Sequence, residues 1–159
     1  MSFNPYAPPQ ADVRDVATPD PQAVPPLWNP GAATAWSLLF SPAFGAYLQM
    51  LNWRALGEPA LAQQSKNWFI GSMVYLSLAM FGAMLLPDSK LIDLATRGVG
   101  LAYLLVWYSL SGKLQVHRVK TRYGKDYPRR GWGQPLLWAV GVFLAFMAVA
   151  FVLAFFFLA

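Results

Sequence analysis

The chain has 159 residues, of which 57% are hydrophobic, 16% aromatic and only 12% charged, and its formal net charge is +5. Such a balance is far from that of a soluble domain and describes a membrane protein of about one domain's size. The complete lack of cysteine excludes disulfides, thiolate zinc sites, iron–sulfur clusters and thiol redox chemistry.

Residues 1–30 carry eight of the thirteen prolines, three aspartates and one arginine. With so little apolar surface to bury, residues 1–29 are expected to form a disordered, Pro-rich tail. The tail also lacks the basic start and apolar run of a cleavable signal, so the chain is expected to insert through its own spans. Asn29 can cap a helix, and Pro30 suits its first position, where a missing N–H costs nothing. A first helix is then expected over about 30–56, uncharged until Arg54 and stopped by Gly57.

Pro59 can open a second helix, expected over 59–86, polar at first and apolar from Trp68 onward. Gly57 and Glu58 make the turn before it a tight helical hairpin. Pro87 and Asp88 end that helix. Ser89 can cap a third, expected over 89–123, which runs past Gly112 into a basic stretch and stops at Gly124. A fourth is expected over 135–159, where no side chain is charged; at 1.5 Å per residue it is about 37 Å long, more than a hydrocarbon core of about 30 Å.

The expected fold is therefore all-α, a multi-pass membrane protein built as an antiparallel four-helix transmembrane bundle. The stretch KLQVHRVKTRYGKDYPRRGWG holds Lys113, Arg118, Lys120, Arg122, Lys125, Arg129 and Arg130 against one acid, Asp126. With Arg54 and Lys66 it makes one face strongly basic, and the positive-inside rule puts that face in the cytoplasm and both termini outside. In this setting the basic stretch reads as a topology anchor for anionic membrane lipids, each residue near the surface contributing about 1 kcal/mol, and not as a nucleic-acid arm. Trp53, Trp68, Trp107, Trp132 and Trp138 fall near the same boundary, as indoles in headgroup belts do. In an alternative topology the first segment is a re-entrant hairpin broken at Pro42, which returns the tail to the cytoplasm.

Ser37, Ser41 and Gly45 extend a stripe of small residues that lets helices approach closely, either inside the bundle or against a partner. Gly98 with Ala102 and Gly141 with Ala145 repeat the spacing. Asp93 and Arg97 are the one charged pair at membrane depth, four apart with the acid first, the favourable order for an ion pair. Intramembrane charges are functional candidates by default. Gln49 is expected at the interface. His117, the single histidine, lies among basic residues with no second ligand or carboxylate, so no metal site, no cofactor site and no catalytic set is expected.

The opening NPYAPP, the lead YPRRGWGQPLL and the stretch WSLLFSPAFGAYLQMLNWRALG resemble small uncharacterised inner-membrane proteins of Gram-negative bacteria. That group has no catalytic residues to carry over. Multi-span proteins of this size include immunity partners of secreted antibacterial toxins, type VI effectors among them. The resemblance implies a non-enzymatic protein of the inner membrane that binds another protein, a secreted toxin. The alternatives are a small homo-oligomeric transporter or channel, with Asp93 in its path, and a scaffold subunit of a membrane complex.

Overall fold

The structure, a computed structural model, describes residues 24–87 and 89–158, with side chains to residue 156. Every regular element among them is helical. The helices are α1 (Pro30–Phe40), α2 (Pro42–Ala55), α3 (Pro59–Leu85), α4 (Lys90–Trp107), α5 (Lys113–Tyr123) and α6 (Gly133–Leu158). A π-helical turn over Tyr108–Gly112 joins α4 to α5, so Lys90–Tyr123 is one rod of 34 residues. Three helices are long and apolar enough to cross a bilayer: α3, the α4–α5 rod and α6.

The expected first span is corrected. Instead of one helix over 30–56, α1 and α2 fold back on each other as an antiparallel hairpin. Trp28 is hydrogen-bonded to Asn52, Ala33 packs on Leu48, and Gly45 lies against Ser37. The break is at Ser41, whose backbone takes φ 105° and ψ 161°. Pro42 disfavours helical geometry at the residue before it and cannot donate to α1, so α1 stops there and α2 starts on the proline. In place of four long helices, the described residues hold three long helices and a hairpin.

Local chemistry explains the other ends. The Asn29 side chain accepts from the N–H groups of Gly31 and Ala32, at 3.0 and 3.3 Å, with Pro30 at the first position. At the α2–α3 turn the Glu58 N–H donates to the Trp53 carbonyl and the Gly57 N–H to that of Arg54. Gly57 there has φ 72°; this is a Schellman close, which needs a left-handed residue. α5 ends at Gly124, with φ 62°.

α2 and α3 share the largest helix–helix contact. α3 and α4 are bridged by tyrosines. Tyr103 Oη donates to the Trp68 carbonyl, which also accepts the Ser72 hydroxyl, and Tyr75 Oη donates to the Thr96 carbonyl. Their two rings stack with centroids 5.6 Å apart. These contacts set Trp68 and Trp107 at one level and Leu85 and Lys90 at the other, a slab about 27 Å deep that matches a hydrocarbon core.

Most of the hairpin lies above that slab, beside the polar start of α3 and the basic α5. Tyr47 packs on Phe69, one residue into the apolar part of α3, so the tip at Pro42 is only about 8 Å deeper. Residues 24–29 also lie on the basic side. Leu27 pairs with Arg129 in an isolated bridge, its N–H donating to the Pro128 carbonyl and its carbonyl accepting from Arg130 N–H. Leu27 is fully buried and Trp28 nearly so, so the expected tail does not extend to residue 29; its first 23 residues lie outside the described ones.

Two measurements follow. A serine at positive φ with extended ψ costs about 1–3 kcal/mol, so Ser41→Gly is expected to raise stability by about 1 kcal/mol in denaturant titration of the detergent-solubilised protein. Because the chain has no cysteine, single cysteines can report sidedness: Val24→Cys and Thr121→Cys should react with an impermeant maleimide from one side of the membrane and Ser89→Cys from the other.

Candidate functional site

The best-defined polar constellation is the seam between the hairpin and the rod. Asn52 Oδ1 accepts the Trp28 N–H at 3.0 Å, and Asn52 Nδ2 donates to the Trp28 carbonyl at 2.8 Å and to Gln115 Oε1 at 3.2 Å. Gln115 Nε2 donates to the Gln49 carbonyl at 3.0 Å, and Ser111 Oγ donates to Gln49 Oε1 at 3.0 Å. Asn52, Gln49 and Gln115 are all at most 1% exposed. Gln49, expected at the membrane interface, is therefore a core residue.

The π-turn aligns this seam. The buried residues of the rod are Trp107, Ser111, Gly112, Gln115 and Val119, largely a four-residue repeat. On a regular α-helix each such step drifts about 40° round the axis; a wider π-turn removes most of that drift. The seam is packed tightly. A Cβ at Gly45 would overlap Ser37 Oγ and the Trp107 ring. Its chemistry is amide and hydroxyl only, which can hold backbone together but offers no acid, base or nucleophile poised for reaction.

Above the seam, Arg118 Nη1 donates to Glu58 Oε1 at 2.9 Å and its guanidinium sits 5.8 Å from the Trp53 ring centre, tying α5 to the α2–α3 turn. Arg130 covers Trp28 at 4.5 Å, and the indole N–H donates to the Gly131 carbonyl. Lys120, Lys125, Tyr127 and Arg129 line a shallow cavity of about 220 Å³ beside the start of α1. Burial pushes the Tyr127 phenol up from its usual range, partly offset by Arg129, so it stays a neutral donor at physiological pH. Lys113, Arg122 and His117 are exposed.

The predicted partner-binding residues separate into two groups. Ser37 is 1% exposed, its hydroxyl donating to the Ala33 carbonyl, and Gly45 is buried against it. Their small side chains serve the hairpin's own packing and are not available to a partner. Ser41 is half-buried at the tip. Asp93 and Arg97 form the expected ion pair, Arg97 Nε to Asp93 Oδ1 at 2.9 Å, with side chains 61% and 77% exposed, at the far end of the molecule from the basic loop.

The tryptophans also divide. Trp53 and Trp107 are 1% and 0% exposed, core residues where lipid-facing indoles are expected, whereas Trp138 is exposed. Asn52, Ser111 and Gln115 were not singled out by sequence. The signal was polar amides at helical spacing inside α2, Gln49 and Asn52, in an otherwise apolar segment. Among the described residues, no group of three or more His, Cys, Asp or Glu is placed to hold a metal ion.

Comparison with protein-family models, with curated proteins and with solved structures finds no match to the chain.

Two substitutions separate the seam from the rest. Asn52→Ala strands the buried N–H and carbonyl of Trp28 and should lower stability by about 2–4 kcal/mol. Gly45→Ala should cost about 1–3 kcal/mol through overpacking. Gly141→Ala, which meets nothing within 4 Å, should stay within about 0.5 kcal/mol. Thermal unfolding in detergent would rank the three.

Proposed function

We propose that this chain is a non-enzymatic protein of a bacterial inner membrane that works by binding another protein, and that it is an immunity protein neutralising a membrane-acting toxin secreted by sibling cells. The observation that carries the reading is α6. None of its most apolar stretch is buried within the chain, and it makes no contact with another helix comparable to that between α2 and α3. Leu137, Trp138, Gly141, Val142 and Ala145 line an apolar groove of about 420 Å³ on it. A span whose most apolar stretch is left uncovered in its own fold is suited to pairing with one from outside, because close van der Waals packing drives helix association in lipid.

In this mechanism an inserting toxin helix lies along the Gly141–Ala145 face of α6. The exposed Asp93–Arg97 pair meets its polar end on the side away from the basic loop. The toxin's own surfaces are then covered and its copies cannot assemble. The basic face is cytoplasmic on the positive-inside rule, and Lys66, Lys113 and Arg130 hold it against anionic headgroups.

Crosslinking of the tagged protein in its native membrane, beside toxin-secreting siblings, should capture one secreted protein in near-equal amount. Deletion should sensitise cells to that protein, and Gly141→Phe should abolish both capture and protection while leaving the fold intact. If cells without the protein survive every sibling toxin as well as the parent does, the immunity reading fails. A second reading, a homo-oligomeric channel or transporter, draws on the exposure of Asp93; unchanged ion or solute flux in Asp93→Asn would count strongly against it.

A further inference from the structure

We infer that the α1–α2 hairpin is a one-leaflet wedge whose tip sits in lipid acyl chains on the basic face, giving the protein a preference for membranes curved outward on that face. The hairpin has two chemically different halves. Its mouth is closed by the Asn52–Trp28 pair and by Gln115, polar groups that lie above the apolar slab. Its tip presents Leu38 and Leu39, 71% and 74% exposed, beside a tilted aromatic row from Trp36 through Phe40 to Phe44. No side chain between Pro30 and Gln49 is charged, so nothing opposes entry of the tip into hydrocarbon.

The register argues for lipid over another protein as the occupant. The Tyr47–Phe69 contact fixes the tip about 8 Å below the level of Trp68, within the roughly 5–10 Å to which interfacial helices sink their apolar faces. Leu38 and Leu39 therefore stand at acyl-chain depth in the one leaflet where the hairpin enters. The other leaflet holds only the three long helices. Two helices, each about 10 Å across, thus add area to one side of the bilayer alone. Lipid-packing defects on a convex surface make room for such an insertion, which is why interfacial helices are curvature-sensitive. Lys66 and Lys113, exposed close to the boundary, add attraction to anionic headgroups on the same side.

Two experiments on the full chain test this. For depth, a nitroxide on Leu39→Cys, in vesicles of phosphatidylcholine and phosphatidylglycerol, should collide with oxygen and be shielded from a water-soluble nickel chelate. Chelate access equal to that at a Thr121→Cys label would overturn the wedge. For curvature, Thr121→Cys labelled with an impermeant dye marks only molecules with the basic face outward on giant vesicles. These should be enriched at least about twofold in tubes pulled from the vesicle. Molecules facing inward, labelled through Ser89→Cys, should be depleted. The double variant Leu38→Ala, Leu39→Ala removes exposed side chains without touching the seam and should abolish the enrichment. Equal partition of both orientations, or enrichment that survives the double variant, would refute the inference.

Discussion

A single carboxamide closes the hairpin that makes up the first quarter of the described chain. Asn52 takes both the N–H and the carbonyl of Trp28, as a neighbouring β-strand would, and so closes the hairpin at its open end. Without that grip, the backbone entering α1 would have two buried polar groups and no partner. Every later contact uses the position it sets. Trp28 receives Arg130 and donates to Gly131, Leu27 pairs with the 128–130 loop, and the loop in turn delivers Trp132 to the foot of α6. The rod joins the same arrangement through Gln115 and Ser111.

The placement of polar and apolar cores follows from solvent. Within the slab between Trp68 and Leu85, hydrocarbon cannot hydrogen-bond, so Ser72, Tyr75, Thr96 and Tyr103 each direct a hydroxyl to a backbone carbonyl of their own or the neighbouring helix. Ser72 donates to Trp68 and Thr96 to Ile92. Above the slab, amides can be used freely because water and headgroups solvate the unfolded alternative. The richest amide network is found there, where the chain could not rely on a large apolar core.

The helix breaks were legible from local chemistry, since Asn29–Pro30, Gly57–Glu58–Pro59 and Gly124 act through their own backbone geometry. The three long apolar helices were legible from composition. The hairpin was harder to see: an uncharged stretch before Arg54 is long enough to cross a bilayer, and only Pro42 hinted that it turns back. What decides the matter is Ser41 at positive φ, together with the bonds from Asn52 to Trp28, 24 positions away. Neither is encoded in a local pattern. For the same reason Trp53 and Trp107 resembled interfacial indoles, while their burial depends on a seam formed by distant segments. Gln49 and Asn52 carried the available signal, two amides at helical spacing in a segment that would otherwise be lipid-facing.

The length of the rod divides the basic residues by what they can feel. Beyond Trp107 the helix continues for about 24 Å into water, while the headgroup layer occupies only about 5–8 Å of that. At physiological ionic strength a charge is screened over about 8 Å. On the rod, Lys113 lies within reach of the lipid surface, but Lys120 and Arg122 stand more than a Debye length above it. Their attraction to headgroups is largely screened, so the upper end of the rod does little to hold the protein on the bilayer beneath it.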